Sequence, residues 1–310
     1  MPREIYGRDF EFLPRELLLS FEEIVRLSRV FVGLGVEKLR LTGGEPLVRR
    51  GLPGLVAMLA ELRLPDGSEL DLTLTTNGSA LPALAKPLRE AGLRRVTVSL
   101  DSLDDQTFRA MNGVDYPVAR VLDGIAAAQT AGFAPIKINM VVRRGINESS
   151  VVPMARWARS AGHILRFIEY MDVGHTNGWR LDDVVPAAEV VARIDAEMPI
   201  EPAEPNYRGE VATRWRYRDG GGEIGLIASV SQPFCGDCTR ARLSADGQLY
   251  TCLFAGVGHD LRALVRSDAS DEELTTAIAS IWAGRDDRYS ELRSEATADL
   301  PRVEMFAMGG

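Results

Sequence analysis

Hydrophobic and polar positions follow two different periods along this chain, and one gives way to the other at regular intervals. Residues 20–35, SFEEIVRLSRVFVGLG, carry apolar side chains at helical spacing. Ser20 with Glu23 three residues on predicts a capping box, and the glycines at 33 and 35 close the helix. VEKLRLT (36–42) alternates every second residue, as a half-buried strand does. The exchange continues with helix 52–63, strand 70–78, helix 80–91, strand 94–102, helices 104–111 and 117–131, strand 135–142, helix 150–161 and strand 164–172. Strands separated by helices predict βαβ units and a parallel sheet, because parallel neighbours need a crossover between them.

An open doubly wound sheet and a barrel both satisfy that pattern. No G-x-G-x-x-G follows a strand, which removes the dinucleotide-binding fingerprint. Instead, polar residues gather at the C-terminal ends of successive strands: Thr42-Gly43-Gly44-Glu45, Thr75-Thr76-Asn77, Ser99 with Asp101, Asn139, and Glu169. A ring of such ends is the catalytic face of a barrel, so the prediction is α/β with an incomplete (β/α) barrel. The pattern changes near residue 200, where EPAEPNYRG (201–209) has the composition of a linker. Beyond it come two short strand-like runs, a cysteine hairpin, and helices at 260–266 and 270–283. The expected division is therefore a barrel over 1–200 and an extension over 201–310.

Composition changes this picture little. An apolar fraction of 45% and a charged fraction of 26% are ordinary for a globular chain. A net charge of −8 argues against nucleic acid, which needs a basic face, yet leaves room for a small anion held by a few local cations. No apolar run is long enough to span a membrane, and the charged first residues do not read as a signal peptide. The three cysteines are clustered and odd in number, which suggests reduced thiols in the cytoplasm.

Those cysteines stand in FCGDCTRARLSADGQLYTCLF as Cys235, Cys238 and Cys252. A C-x2-C pair with a distant third thiolate binds either zinc, with His259 as a fourth ligand, or an iron–sulfur cluster that leaves one iron open. Spacing alone favours the commoner zinc site. Arg240 and Arg242, alternating beside Cys238, bring phosphate-type anions into consideration, though a solvated strand face explains them equally well. In LTGGEPLVRR (41–50) the paired glycines allow backbone to approach a ligand, or simply make a tight turn ahead of Pro46. Lys137 interrupts an apolar strand, so it lies at an edge or points at an anion, and the polar strand ends favour the anion. His163, His175 and His259 have no partner at metal spacing and are expected to be structural. Hydrolase and phosphotransferase motifs are absent.

KLRLTGGEPLVRR, LTTNG, RRVTVSLDS, INMVVRRGIN, RFIEYMDVG, the cysteine stretch, RDDRYS and the terminal Gly309-Gly310 together resemble the GTP 3′,8-cyclase family of radical S-adenosylmethionine (SAM) enzymes, over essentially the whole chain. The resemblance implies an incomplete barrel carrying two 4Fe–4S clusters. One cluster cleaves SAM to a radical that abstracts the ribose C3′ hydrogen of GTP, and the carbon radical then closes on guanine C8. The other, on Cys235, Cys238 and Cys252, keeps an iron for the base of GTP. Gly44, Ser99 and Met171 match SAM-binding positions. Arg40, Thr75, Lys137, Arg240 and Arg242 match GTP-binding ones, and Arg240, Arg242, Gly309 and Gly310 match positions needed for catalysis. The family has GTP as substrate, a reductant, and the next enzyme of molybdenum cofactor synthesis as partners; a homodimer is conceivable, and neither nucleic acid nor membrane is expected.

In the family a C-x3-C-x2-C motif directly precedes the Met-Pro that matches Met1-Pro2. The resemblance therefore implies a chain cut just after that motif, without the first strand and one GTP-contacting arginine, and inactive as it stands. SAM and the second cluster are then expected only in a longer native protein. Two rivals remain: a radical peptide-maturation enzyme, and a nucleotide-binding scaffold with structural zinc.

Overall fold

A computed structural model describes residues 13–173, 178–293 and 303. Five parallel strands come first: β1 (Lys38–Leu41), β2 (Asp71–Thr76), β3 (Arg95–Ser99), β4 (Lys137–Val142) and β5 (Ile164–Glu169). β6 (Ile200–Ala203), β7 (Thr213–Tyr217) and β8 (Glu223–Ile227) follow. All eight share one sheet in the order β1-β2-β3-β4-β5-β8-β7-β6, with β8 parallel to β5 and with β7 and β6 antiparallel. Among the described residues the sheet has two edges, at β1 and β6, as an incomplete barrel requires. The stretch expected to be a linker begins as strand β6, whose Pro202 signalled a break. Proline is tolerated there because β6 is an edge strand. The expected boundary at residue 200 thus falls within the sheet.

Register explains the fold. Residues paired across a sheet share a face, and alternate residues change face. One face carries Leu72, Leu74, Val96, Val98, Ile138, Met140, Leu165 and Phe167, each nearly inaccessible. Against it pack α2 (Leu52–Ala60), α3 (Leu81–Glu90), α5 (Val118–Thr130) and α6 (Val151–Ser160) through Val56, Leu88, Ile125 and Met154; α4 (Asp105–Asn112) adds Phe108, and α7 (Ala187–Asp195) adds Ile194. Burying such a side chain contributes roughly 1.5–3 kcal/mol, and no burial is available to a strand slipped by one residue. The opposite face reads Lys38, Arg40, Thr73, Thr75, Arg95, Thr97, Ser99, Lys137, Asn139 and Arg166. The alternation that makes the strands also sorts the cations onto the inner face.

The predicted capping box is present at α1 (Phe21–Gly33): Glu23 N donates to Ser20 Oγ at 3.1 Å and Ser20 N to Glu23 Oε2 at 2.7 Å. Val25 of α1 faces the main core, while Leu27 and Val30 join Leu249, Leu261, Val265, Leu274 and Ile278 in a second core. That second core unites α1 with α8 (Leu261–Arg266), α9 (Asp271–Ala283) and a small sheet of β9 (Arg242–Leu243), β10 (Gln248–Tyr250) and β11 (His259–Asp260). Ion pairs Arg26–Asp271 and Arg266–Glu23, at 2.8 and 2.7 Å, run along the same seam. One helix therefore fixes the cysteine extension to the barrel. A last short helix, α10 (Tyr289–Leu292), lies beside the Cys235 turn, where Gly236 N donates to Glu291 Oε1 at 3.2 Å.

Candidate active site

The inner face holds more positive charge than its neighbours neutralise. Arg40 is brought down to about 10 by burial and then by Arg166, Arg240 and Arg95. Lys137 falls to about 7 through burial, Arg166, Arg95 and Lys38, and Lys38 falls to about 8 through burial, Arg40 and Arg95. Arg242, from the cysteine extension, is lowered to about 10 by burial and by Arg240, with Arg40 a smaller cause. The cations of strand and hairpin thus bear on one another across a shared space. Compensation is partial: Asp71 pairs with Arg95 and sits 3.9 Å from Lys38, and Glu210 and Tyr207 of the β6–β7 loop offset part of the charge on Arg166. Gly225 pairs with Arg166 in register, and a side chain there would crowd Arg166 Cγ at 3.3 Å, so glycine makes room for the guanidinium. On the same face, Thr75 Oγ1 and Asn139 Oδ1 are buried without a hydrogen-bond partner. Mutually repelling cations beside unsatisfied polar atoms form a cradle for a polar polyanion.

The structure brings the sequence-predicted Arg40, Lys137, Arg240 and Arg242 together here and places Thr75 on the same face. It adds Lys38, Arg95 and Arg166, which sequence reasoning missed. Lys38 and Arg95 occupy the polar phase of half-polar strands, where a cation reads as solvated, and Arg166 is flanked in its own phase by Ile164 and Ile168.

Gly44, Ser99 and Met171 stand at or just past the C-terminal ends of β1, β3 and β5, along one edge of the sheet. Gly43, at φ 135°, turns the chain in a conformation that favours glycine. Beyond it Glu45 accepts from Leu47 N at 3.0 Å, Thr76 Oγ1 at 2.7 Å and Asn77 N at 2.7 Å, bracing the loop against β2. Glu169 accepts from Ala187 N and Val230 N at 2.8 Å, Ser231 N at 2.9 Å, and Ser231 Oγ. Glu45, Thr76, Asn77 and Glu169 were expected among a ring of active-site polar ends. The side chains of Glu45, Thr76 and Glu169 brace the frame, and Glu169 lies on the helix-covered face. Asp101 accepts from Val141 N at 2.8 Å, and its burial pushes the carboxyl up to about 6.

Cys235, Cys238 and Cys252 are all half-buried free thiols. Cys235 opens a single 3-10 turn whose bond from Cys238 N to Cys235 O spans 3.2 Å. Burial alone would raise the Cys238 thiol, but the charge and hydrogen bonds of Arg240, with Arg285, bring it down to about 7. Cys252 accepts from Phe254 N at 3.4 Å and is raised by burial. Among the described residues no three His, Cys, Asp or Glu side chains converge on a single ion. His259 lies exposed on β11. A cubane takes each thiolate at a different iron, so its ligands surround a volume rather than meet at a point. Three thiols, guanidinium donors and an uncommitted fourth corner fit that donor set.

Asp172 joins this region to the barrel. It pairs with Arg293 at 2.9 Å and accepts from Tyr289 Oη at 2.7 Å, while Arg293 also donates to Ser229 O at 2.8 Å. Val303 N donates to Ala255 O at 3.2 Å, three residues past Cys252. Gly309, Gly310 and His175 lie outside the described residues.

An incomplete (β/α) sheet with a cationic inner face and a three-cysteine extension beside it defines a radical SAM enzyme with a C-terminal cluster region. Two family models match the chain: the Radical SAM superfamily over residues 5–158 and Molybdenum Cofactor Synthesis C over 163–291, which takes in β5 to β8 as well as the cysteine extension. A GTP 3′,8-cyclase of Acidothermus cellulolyticus is 61% identical over 95% of this chain and 81% of its own length. Those of Xanthomonas axonopodis pv. citri and Staphylococcus aureus are 50% and 44% identical over 100% of this chain and 91% of theirs. This chain belongs to the GTP 3′,8-cyclase family. Native anSMEcpe with bound AdoMet has the same fold, at a TM-score of 0.52 and 14% identity over 85% of this chain and 74% of that one. The chain spans 81% to 91% of the length of these cyclase relatives. No helix among the described residues is long and apolar enough to cross a membrane.

Proposed function

We infer that this chain performs the reaction of its family, the SAM-dependent cyclisation of GTP that begins molybdenum cofactor synthesis, as a lyase, and that the cationic inner face is its GTP site. The observation that carries the assignment is the gathering of Arg40, Lys137 and Arg166 on one face of the sheet, beside the buried Thr75 Oγ1 and Asn139 Oδ1, with Arg240 of the hairpin bearing on Arg40 and Arg40 in turn on Arg242. A triphosphate supplies the missing negative charge, with each arginine able to grip phosphate oxygens in pairs. Lys38 and Arg166 act beside them, and Thr75 Oγ1 and Asn139 Oδ1 take up polar groups of the bound nucleotides. Holding ribose and base at fixed separation is this chain's chief contribution to the rate.

Gly44, Ser99 and Met171 receive SAM along the strand ends, and Cys235, Cys238 and Cys252 hold the C-terminal 4Fe–4S cluster against the base of GTP. SAM, when bound with its own cluster, supplies the radical chemistry of the family. Residues 1–234 contain no cysteine to ligate that second cluster. Functionally, residues 1–200 form the SAM half and 201–310 the cluster half. Gly309 and Gly310, which match family positions needed for catalysis, are assigned a role there with Arg240 and Arg242. A one-electron reductant and the enzyme consuming the cyclised nucleotide complete the partners, and three unpaired thiols suit the reducing cytoplasm.

The test is GTP affinity of the anaerobically reconstituted chain and of Arg40→Met, Lys137→Met and Arg242→Met. Each variant is expected to bind at least tenfold more weakly. Unchanged affinity in all three would overturn the assignment.

A further inference from the structure

Arg285 lies in the RDDRYS stretch, forty-seven residues past Cys238, and it reaches back to that cysteine. Its side chain is 12% exposed. Nε pairs with Asp287 Oδ2 at 3.2 Å, the guanidinium lies 4.8 Å over the Trp282 ring, and Nη1 donates to the carbonyl oxygen of Cys238. From the other side Arg240 Nε donates to Cys238 Sγ at 3.3 Å, and Arg240 itself lies 5.3 Å over the Phe234 ring. Among the described residues, then, Cys238 is held by two guanidiniums, Arg240 at its sulfur and Arg285 at its carbonyl oxygen, whereas Cys252 Sγ accepts from a backbone amide. Substrate chemistry does not explain Arg285: it grips the ligand cysteine and an aspartate, not the inner face of the sheet.

We propose that Arg285 is a positioning residue of the C-terminal cluster: it fixes the Cys238 limb of the hairpin and places positive charge beside that sulfur, so that the bound cluster accepts an electron more readily. The inference rests on the reading that Cys235, Cys238 and Cys252 hold an iron–sulfur cluster. N–H groups directed at a cluster sulfur and nearby positive charge both stabilise the reduced state, and outer-shell partners of this kind orient ligands as well as tune them. Asp287 and Trp282 restrict the guanidinium to one orientation, so the effect is built into the fold.

The experiment uses the full chain, reconstituted anaerobically with iron and sulfide, in wild-type form and as R285Q and R285K. Iron and sulfide are counted, and the cluster's midpoint potential is read by an EPR-monitored redox titration. R285Q is expected to keep its cluster while losing at least tenfold in stabilisation of the reduced form, about 59 mV more negative for a one-electron couple. R285K, which keeps the charge without the fork, is expected to fall between R285Q and wild type. A potential unchanged in every variant that retains iron overturns the proposal, even where iron content is lower, because a purely structural arginine would lose clusters without shifting those that remain. Should wild type itself take up zinc, or no iron and sulfide, the cluster reading fails and the inference with it.

Discussion

Lys137 shows how a single residue records the ligand its surroundings were built for. Its ammonium is held at about 7 rather than the usual 10.5, first by burial and then by Arg166, Arg95 and Lys38. Between those two values the unfolded chain carries a proton that the folded chain lacks. Through this group, folding stability therefore rises with pH across that window, the repelled charge being fully costly only below about pH 7. Phosphate oxygens reverse the balance by favouring the charged form. GTP binding at pH 8 is accordingly expected to take up protons, partly at Lys137 and partly at Lys38, which stands at about 8. Calorimetry in two buffers of different ionisation enthalpy reads that uptake, which is expected to shrink in Lys137→Met. Binding at pH 8 without proton uptake would count against both lysines as phosphate ligands. From sequence alone, Lys137 was visible because a lysine in an apolar strand needs a reason. Lys38 was not, because a cation in a half-polar strand reads as a solvated one.

At the scale of elements, the work is divided between side chains that hold the frame and side chains that meet ligand. Glu169 closes β5 and binds the start of α7 and the segment after β8 through amides of Ala187, Val230 and Ser231. A carboxylate can accept from all of these at once, whereas an amide has one accepting oxygen and would aim its own N–H groups at donors. Glu169→Gln is expected to cost about 3 kcal/mol, since hydrogen bonds to a buried charge are worth roughly 1.5–3 kcal/mol each and donors would be left unmet. Urea denaturation checks this, and a midpoint equal to wild type would show that the brace is dispensable. The polar residues at strand ends could be listed from sequence, but their division could not. Ser99 and Glu169 occupy similar places in the pattern, yet a one-residue difference in phase puts the serine on the inner face and the glutamate against the helices.

Over the whole molecule, an acidic chain of net charge −8 concentrates its cations where two parts of the chain meet. Acids elsewhere make the overall field negative, and the enclosed space strengthens whatever charge lies within it. GTP affinity is expected to weaken as sodium chloride rises from 50 to 300 mM, because screening acts on the approach and on the exposed part of the site. Equilibrium dialysis across that range measures the slope. A flat response would mean that ring contacts, rather than phosphate, dominate.

The sequence by itself determined the alternation of helix and strand, the parallel sheet, the capping box at Ser20 and the three-thiol hairpin. These follow from periodicity and spacing within short stretches, and local physics decides them. Only the tertiary structure decided that β6 joins the sheet at its edge, that Lys38, Arg95 and Arg166 belong with Arg40 and Lys137, and that Arg285 grips Cys238. Each of these joins residues tens to hundreds of positions apart. Their charges and hydrogen bonds become decisive only when the fold has removed the water between them, and no local pattern encodes that.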